Sequence, residues 1–404
     1  MRSLVPGLLT ARRMLSSAAC ASLKSLTAVW LGYPLIMAGL AARTRAATRV
    51  SGDAEPAADR APAEDGKPTV SVIIATRDDE AAVRSRIADC LRCAYPPEKF
   101  DVVVAVDCRC HDVAVRYLSR LPDSTSSEGR CTVVLGDEPG GKAATLNAGV
   151  RAARGEVLLF TDTGQRFQPD AIEHLVTALR QPGIGAVSGS LELPRANGSS
   201  SSLIGRYWTL ERWLRRCEAR VHSSVGVSGS IWATWKALWS PLPRDLILDD
   251  LYTPMRLALG GYRVAFAEAA RAVETRHSQV GHEYRRKVRT LTGVIQLCAW
   301  QPAVLVPLRN PIWLQFVAHK LLRLLTPYWV MAIGASMGSG SVRWLASNPR
   351  VAVGLTPALV VAGYARRGIV RRLWGGLVCA LTIQTAVVVA TVNGIRRRWD
   401  VWRV

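Results

Sequence analysis

The chain has 404 residues, of which 49% are hydrophobic and 21% are charged, and its 52 Lys and Arg against 31 Asp and Glu give a formal net charge of +21. This composition excludes a disordered charged tail, a collagen-like repeat and a coiled coil, and the length allows one large domain with additional segments. The nine cysteines are odd in number and contain no pair of zinc-type CxxC motifs. We therefore expect mostly free thiols in a reducing compartment.

The positive charge is concentrated at the two ends of the chain. Residues 1–50 hold 7 basic and no acidic residues, residues 51–273 hold 27 and 28, and residues 274–404 hold 18 and 3. A nucleic-acid-binding protein carries its basic surface on the folded domain, whereas the middle of this chain is neutral. Arginines beside long apolar runs are typical of membrane proteins, so we expect a membrane partner and no nucleic acid.

The first apolar run covers residues 25–42, which contain no charge and are flanked by Lys24 and Arg43. Eighteen such residues are enough to cross a bilayer, so the sequence predicts a transmembrane helix after an N-terminal tail of residues 1–24. The tail is free of acidic residues and also fits an organellar transit peptide. Residues 43–67 are predicted to form a disordered linker, because most of this segment consists of Ala, Pro, Asp and Glu without large apolar side chains.

Short β-branched runs alternate with helical stretches in residues 68–280. Strands are predicted at 70–75, 101–106, 131–135 and 156–160, with helices at 79–93, 110–120 and 142–153. This alternation predicts a Rossmann-like α/β domain with a largely parallel sheet. In such sheets, ligands bind at the carboxyl ends of the strands.

The last part of the chain is basic and then apolar. Residues 281–311 are predicted to form interfacial helices, residues 312–393 a membrane region of two or three helices, and residues 394–404 a basic tail. Within the membrane region the apolar runs are 312–337, 351–364 and 373–393. The sequence predicts a multi-pass membrane protein without fixing the number of spans.

Polar residues follow the predicted strands at four places. Thr76 and Arg77 close the first strand at a helix start that suits an anion or a nucleotide, and Asp107 ends the second strand, where its carboxylate can accept from a base N–H. Lys142 opens a helix after two glycines, which favours phosphate without meeting the P-loop motif. Asp162 follows the fourth strand and suits a divalent cation. Each signal alone also fits an ordinary helix cap or turn.

Four segments, in this order, resemble the family 2 glycosyltransferases with their GT-A fold: PTVSVIIATRDDE, DVVVAVD, GGKAATLNAGVRAARGEVLLFTD and LILDDLYTPMRLALGGYRVAF. The resemblance covers about residues 68–300, and its most specific part is the GKAxxLNxGxxxAxGE stretch. It implies a nucleotide-sugar donor, a UDP-sugar first of all, with the nucleobase near Asp107, the ribose or base near Thr76 and Arg77, and the phosphates near Lys142.

The same resemblance implies the catalytic and metal-binding residues. Asp162 matches the first carboxylate of the family's DxD motif and would hold Mg²⁺ or Mn²⁺, whereas Gly164 stands where the second carboxylate is expected. Asp250 matches the general base, with Asp249 as a second catalytic candidate. Physical reasoning supports one base, because inverting transfer requires a group that takes the proton of the acceptor hydroxyl.

The processive polymer synthases of this family end their catalytic domain with a QxxRW motif. Here Arg289 fits the arginine and could hold diphosphate, whereas Arg286 replaces the glutamine and Thr290 the tryptophan, which weakens the case for processive synthesis. We expect the acceptor to meet Arg285 and Arg286 together with the loop at Ser228 and Gly229. The basic run also fits a solvated helix on anionic lipid.

The leading hypothesis is a membrane-embedded inverting glycosyltransferase of the bacterial plasma membrane, with its catalytic domain in the cytoplasm and a role in polysaccharide or cell-envelope synthesis. Its acceptor would be a lipid or a growing glycan. The alternative is a catalytically weak membrane scaffold that retains the GT-A fold, since the metal and terminal motifs are both incomplete. A sugar-phosphate nucleotidyltransferase is disfavoured, because the first strand is not followed by a glycine-rich loop.

Overall fold

The computed structural model describes residues 17–50, 66–110, 130–192, 201–275, 280–347 and 384–399. The strands are β1 (Val70–Thr76), β2 (Phe100–Val106), β3 (Cys131–Leu135), β4 (Val157–Thr161), β5 (Gln165–Phe167), β6 (Ile184–Glu192), β7 (Trp232–Trp235) and β8 (Arg263–Glu274). The helices are α1 (Tyr33–Val50), α2 (Glu80–Leu91), α3 (Lys142–Ala152), α4 (Ala171–Leu179), α5 (Ser201–Val221), α6 (Asp249–Leu259), α7 (Val280–Trp300), α8 (Trp313–Phe316), α9 (Thr326–Ser347) and α10 (Gln384–Ile395). Residues 17–32 lead into α1 as a helix with one π-helical turn, and residues 317–325 join α8 to α9 as π and 3₁₀ turns.

Several predicted features lie outside the described residues. These are most of the N-terminal tail, the linker residues 51–65, the helix predicted at 110–120 beyond residue 110, the apolar run 351–364, the first part of the run 373–393, and the chain end after residue 399. Within the described part of the chain all cysteines are free thiols, as expected.

The strands form one mixed sheet in the order β3-β2-β1-β4-β7-β6-β8-β5. The half β3-β2-β1-β4 is parallel, as the sequence predicts, and β6 is parallel to β8. In contrast, β7 is antiparallel to both of its neighbours and β5 is antiparallel to β8. The prediction of a largely parallel sheet is therefore correct for one half only.

The reversal of β7 follows from where its preceding loop lies. The hydroxyl of Thr161, the last residue of β4, donates a hydrogen bond of 2.9 Å to the carbonyl of Ser230, just before β7 begins. Strand β7 thus enters the sheet at the edge where β4 leaves it, and it must run in the opposite direction.

Helices cover both faces of the sheet. Along β1, Ile73 packs into the core beneath α3 and α6, while Val72 and Ile74 pack into the core beneath α2 and α4. All three residues are fully buried, as expected for a central strand whose side chains alternate between two covered faces. The result is a three-layer α/β/α domain.

One edge of the sheet, called the active edge below, is formed by the ends of β1, β2 and β4. Strands β1, β2 and β4 pair in register and end at the same edge, so Arg77, Asp107 and Asp162, which directly follow them, come together. Helices α3 and α6 begin at this edge with Lys142 and Asp249.

Helices outside the central domain pack onto it. Three residues of α1 pack against α5, namely Tyr33, Met37 and Ala41. Helix α10 packs against α7, where Gly394 lies against Ile295. One helix among the described residues, Ser17–Thr44, is long and apolar enough to cross a membrane, and α10 is a shorter apolar helix.

A buried arginine of α2 forms an ion pair within that helix and a hydrogen bond to the end of β4. The Arg86 side chain is fully buried; its guanidinium binds the carboxylate of Asp89 and donates a hydrogen bond of 2.9 Å to the Thr161 hydroxyl. It also lies 4.0 Å from the centre of the Phe167 ring. Removing one partner of such a pair leaves an uncompensated charge in the core.

We predict that Arg86→Met lowers the free energy of unfolding by about 3–5 kcal/mol, because Asp89 then stays buried with only the exposed Arg92, 3.7 Å away, as a cation. Chemical denaturation of the detergent-purified chain, followed by circular dichroism, measures this loss. The matched control is Arg84→Met, since Arg84 is exposed and pairs with Glu80 one turn away; this loss should stay below about 1 kcal/mol. Equal losses in the two variants would contradict the assignment.

Candidate active site

Asp107 is buried at the end of β2 and holds two arginines. Its carboxylate accepts hydrogen bonds from Nε of Arg77 at 2.7 Å, from Nη2 and Nε of Arg109 at 2.7 and 3.0 Å, and from the Gly141 backbone N–H at 3.0 Å. The arginine side chains are 41% and 38% exposed, so this cluster borders solvent. Both carboxylate oxygens of Asp107 are occupied by the chain's own donors, so a ligand that reaches the cluster meets the two guanidinium groups.

The loop before α3 approaches Asp107 closely because it consists of glycine. Gly140 has a φ of +84°, and a Cβ there would lie 2.5 Å from the Asp107 carboxylate. This approach places the first turn of α3, with Lys142, beside the ends of β1 and β2. Thr76 is buried beneath this edge, where its hydroxyl accepts from the Asp78 N–H at 2.9 Å and its carbonyl accepts from the Asp107 N–H at 3.0 Å.

Lys142 lies among three carboxylates. Its ammonium is 3.2 Å from Oδ1 of Asp249 and 3.8 Å from Oδ1 of Asp162. Burial opposes the charge of Lys142, but Asp249, Asp162 and Asp250 outweigh burial and raise its pKa above the ordinary value. The lysine is therefore a cation at neutral pH, positioned at a helix N-terminus where a phosphate group is favoured.

Asp250 lies against the loop that contains Ser228 and Gly229. The Asp250 carbonyl accepts a hydrogen bond of 2.9 Å from the Val227 N–H, and a Cβ on Gly229 would lie 3.1 Å from Oδ2 of Asp250. The N–H of Ser228 donates to the Ser188 hydroxyl at 2.9 Å, which fixes the loop on β6. Glycine at position 229 thus leaves space beside the carboxylate for an acceptor group.

The electrostatic surroundings of Asp250 suit a proton acceptor. Burial, followed by the neighbouring charge of Asp249, raises the pKa of Asp250, while Lys142, Arg215 and Arg289 oppose this shift. A carboxylate with a raised pKa is a stronger base, and the three cations keep part of its population ionised.

Helix α7 brings only one of its predicted site arginines to the carboxylates. Burial lowers the pKa of Arg289, and Asp250 and Asp249 oppose this effect because they lie close to its guanidinium. Arg285 and Arg286 are exposed, and the Arg286 guanidinium lies 5.7 Å from the centre of the Trp208 ring. The structure thus joins Arg289 to the site and places the other two on its periphery.

The metal motif offers one carboxylate. The Asp162 side chain is 43% exposed, whereas Gly164 has no side chain and its carbonyl accepts from the N–H and hydroxyl of Thr275 at 2.9 and 2.7 Å. Among the described residues no group of three His, Cys, Asp or Glu side chains is arranged to hold a metal ion. Mg²⁺ is commonly bound by one or two carboxylates with substrate phosphates and water. Asp162 therefore fits a metal that a diphosphate also coordinates.

Residues 68–293, more than half of the chain, match the protein family described as Glycosyltransferase like family 2. The chain belongs to this family. The resemblance of the sequence motifs to this family is thereby confirmed, and the chain is a glycosyltransferase with a GT-A-like α/β fold.

One solved structure shares the fold of this family 2 glycosyltransferase, and another shows a weaker similarity. The mannosyltransferase PcManGT from Pyrobaculum calidifontis, in complex with GDP-Man and Mn²⁺, is similar with a TM-score of 0.64 and 22% identity over 95% of this chain and 99% of that chain. TarS from S. aureus gives a TM-score of 0.41 and 15% identity over 59% of this chain and 40% of that chain. The first similarity extends over the flanking helices as well as the central domain.

One curated relative, the uncharacterized protein y4gI of Sinorhizobium fredii (strain NBRC 101917 / NGR234), is 28% identical over 132 residues. The match covers 32% of this glycosyltransferase and 14% of that protein, so the chain spans a small part of the relative's length.

Two arginines at the site of this glycosyltransferase were not identified from the sequence. Arg109 binds Asp107 from a 3₁₀ turn directly after β2, and the signal was its position two residues beyond the aspartate. Arg215 acts on Asp250 from α5. Its signal was the helical spacing of Glu211, Arg215 and Glu218, which places these charges on one face.

We predict that the kcat of this glycosyltransferase rises with pH through an acid limb that lies above the ordinary titration range of an aspartate, because protonated Asp250 cannot accept a proton. Lys142→Met should move this limb to higher pH, since Lys142 opposes the upward shift of the Asp250 pKa. The measurement is a pH profile of kcat at saturating donor. Lys236→Met is the control, because that lysine binds the Ala153 carbonyl. A limb that stays in place or moves to lower pH would disprove the electrostatic role.

Proposed function

We propose that this glycosyltransferase is attached to a membrane and transfers a sugar, with inversion, from a nucleoside-diphosphate donor to a hydroxyl group of a lipid or glycan acceptor. The observation that carries the proposal is the setting of Asp250: a carboxylate with a raised pKa, open to the Gly229 loop and close to the Lys142 ammonium. General-base chemistry and the binding of a negative leaving group are thereby combined at one edge.

The donor would bind along the ends of β1, β2 and β4. Asp107 orients Arg77 and Arg109, and these arginines offer donors to the base, the ribose or a phosphate. The buried Thr76 supports this turn from below. A UDP-sugar is the donor that the sequence motifs favour, and the GDP-Man in PcManGT makes a GDP-sugar the second choice.

Transfer needs a base on one side of the anomeric carbon and positive charge on the other. Asp250 takes the proton of the acceptor hydroxyl as its oxygen attacks that carbon, and the bond to the diphosphate breaks on the opposite face. Lys142, Arg289 and the N-terminal amides of α3 stabilise the negative charge that develops on the leaving group. Asp249 holds Lys142 in place at 3.2 Å.

A divalent cation, Mg²⁺ or Mn²⁺, would supply further positive charge at the diphosphate, with Asp162 as its ligand from this chain. The Mn²⁺ in PcManGT supports this choice. Because Lys142 lies 3.8 Å from Asp162, the lysine ammonium and a cation held by Asp162 would act on the same phosphate groups.

We predict that the detergent-purified chain releases nucleoside diphosphate from one member of a panel of UDP- and GDP-sugars in Mn²⁺ buffer, with membrane extract as acceptor source. Asp250→Asn should lower the release rate by about 10²–10⁴-fold, the range for loss of a general base, and leave donor affinity unchanged. Asp162→Ala should instead weaken donor binding in Mn²⁺ buffer and have less effect in EDTA.

The control for the base is Asp245→Asn, an exposed carboxylate a few residues earlier in the chain. Release that persists in Asp250→Asn would remove Asp250 as the base. Equal donor affinity of Asp162→Ala and the parent protein in Mn²⁺ would remove Asp162 as the metal ligand.

Attachment to a membrane is supported by an apolar surface that the domain does not cover. On the helix Ser17–Thr44, the side chains of Leu31, Leu35 and Ile36 are 60%, 69% and 57% exposed. Helix α9 exposes Val330 and Met337, and α10 continues this surface. We propose that these helices, with the apolar residues between 351 and 383, place the catalytic domain on the cytoplasmic face of a bacterial plasma membrane.

We predict that the full chain stays with the membrane pellet after extraction at high pH with sodium carbonate, because the helix Ser17–Thr44 is long and apolar enough to cross a bilayer. Release of the full chain into the supernatant would disprove integral attachment.

A further inference from the structure

A second group of charges lies buried between α5, α1 and the residues that join α8 to α9. We name it the α5 charge cluster, and its members are Glu211, Arg215, Glu218, His319, Lys320 and Arg323. The cluster lies outside the span of strands that forms the donor site. Apart from the effect of Arg215 on Asp250, the proposed reaction gives these residues no role.

Both carboxylates of the α5 charge cluster are already fully engaged. Glu218 accepts from the Tyr33 hydroxyl at 2.5 Å and from Nδ1 of His319 at 2.7 Å, and Glu211 accepts from Nε2 of His319 at 2.9 Å and from Arg323. The His319 ring thus bridges the two glutamates through its two nitrogens. Burial alone would raise the pKa of each glutamate, but His319 outweighs it and lowers both.

The positively charged side chains of the cluster are not all paired with carboxylates. Lys320 is half-buried, and its closest polar neighbour is Nε2 of the His319 ring at 3.5 Å; no ion pair with a carboxylate joins it within the described part of the chain. Nε of Arg215 and Nε of Arg323 are buried without an acceptor among the described residues. Arg215, Lys320 and Arg323 thus face two carboxylates, and buried donors remain that an anion would satisfy.

The cluster adjoins the catalytic base. Arg215 is close enough to act electrostatically on both Asp250 and Lys320. It also adjoins the apolar helix at the N-terminus, because the Arg323 guanidinium lies 4.5 Å from the Trp30 ring and Trp30 donates to the Thr326 hydroxyl at 3.1 Å. A ligand here would have an anionic group near Asp250 and an apolar part along that helix.

We propose that the α5 charge cluster binds a phosphate group of the acceptor and thereby anchors the acceptor next to Asp250. This rests on the proposed transferase function and assigns a chemical class to its acceptor: a lipid-linked phosphate rather than a neutral lipid. The donor's diphosphate is a poorer candidate, since Lys142, Arg289 and the α3 N-terminus already provide its positive charge at the strand ends.

The test is binding of decyl phosphate to the full chain in detergent, followed by tryptophan fluorescence in the absence of donor. Decanol and inorganic phosphate are the paired probes, since each carries one half of the ligand. We expect saturable binding of decyl phosphate that weakens by about tenfold or more in Lys320→Gln and in Arg215→Gln, the loss of one charge-assisted hydrogen bond. The control is Arg216→Gln, on the same helix, because Arg216 pairs with Glu268 on the exposed side.

Lys320→Gln should fold like the parent protein, as Lys320 makes no ion pair in the described residues, and its melting temperature verifies this. Unchanged decyl phosphate affinity in both variants, or equal affinity for decanol, would overturn the proposal. Inorganic phosphate that binds as tightly as decyl phosphate would overturn the acceptor assignment in favour of a free-anion site. Because no donor is present, failure here leaves nucleoside-diphosphate release by the enzyme untouched, and failure of that release leaves this binding result standing.

Discussion

The active edge of this glycosyltransferase depends on the charge of Lys142. Three carboxylates, Asp162, Asp249 and Asp250, lie together at the end of β4 and the start of α6, where their mutual repulsion opposes the fold. Lys142 compensates them from the first residue of α3, and Arg289 contributes from α7. Since the same cations face the place where a diphosphate would leave, the charge that permits the fold also prepares the site for a negative ligand.

The half of the sheet built from β3, β2, β1 and β4 was predictable, because its strands are short, β-branched and separated by helices. The other half was not. Strand β7 is antiparallel because a hydrogen bond between Thr161 and Ser230 brings its loop to the end of β4, a contact between residues far apart in the chain. Strand β5 has only three residues, too few for any periodicity to appear.

Some residues of the site were likewise predictable from the sequence, and others were not. Asp107, Lys142 and Asp162 directly follow strands or open helices, so local sequence was enough to predict that they lie together. The helical spacing of Glu211, Arg215 and Glu218 places these charges on one face, but the action of Arg215 on Asp250 depends on how α5 packs across the domain. The pairing of His319 with Glu211 and Glu218 likewise joins residues about a hundred positions apart, and only the folded chain brings them together.

The contacts of helix α5 extend beyond the boundaries of the family match. The match covers residues 68–293, and α5 lies within it, yet Glu218 is held by Tyr33 before the match and by His319 after it. A fragment cut at those limits would lose Tyr33, His319 and Arg323, the side chains that bind the two glutamates. The matched span is therefore a unit of sequence similarity but not of folding. The helices that flank it form part of the enzyme's own core, so the catalytic domain cannot be separated from these helices by shortening the chain.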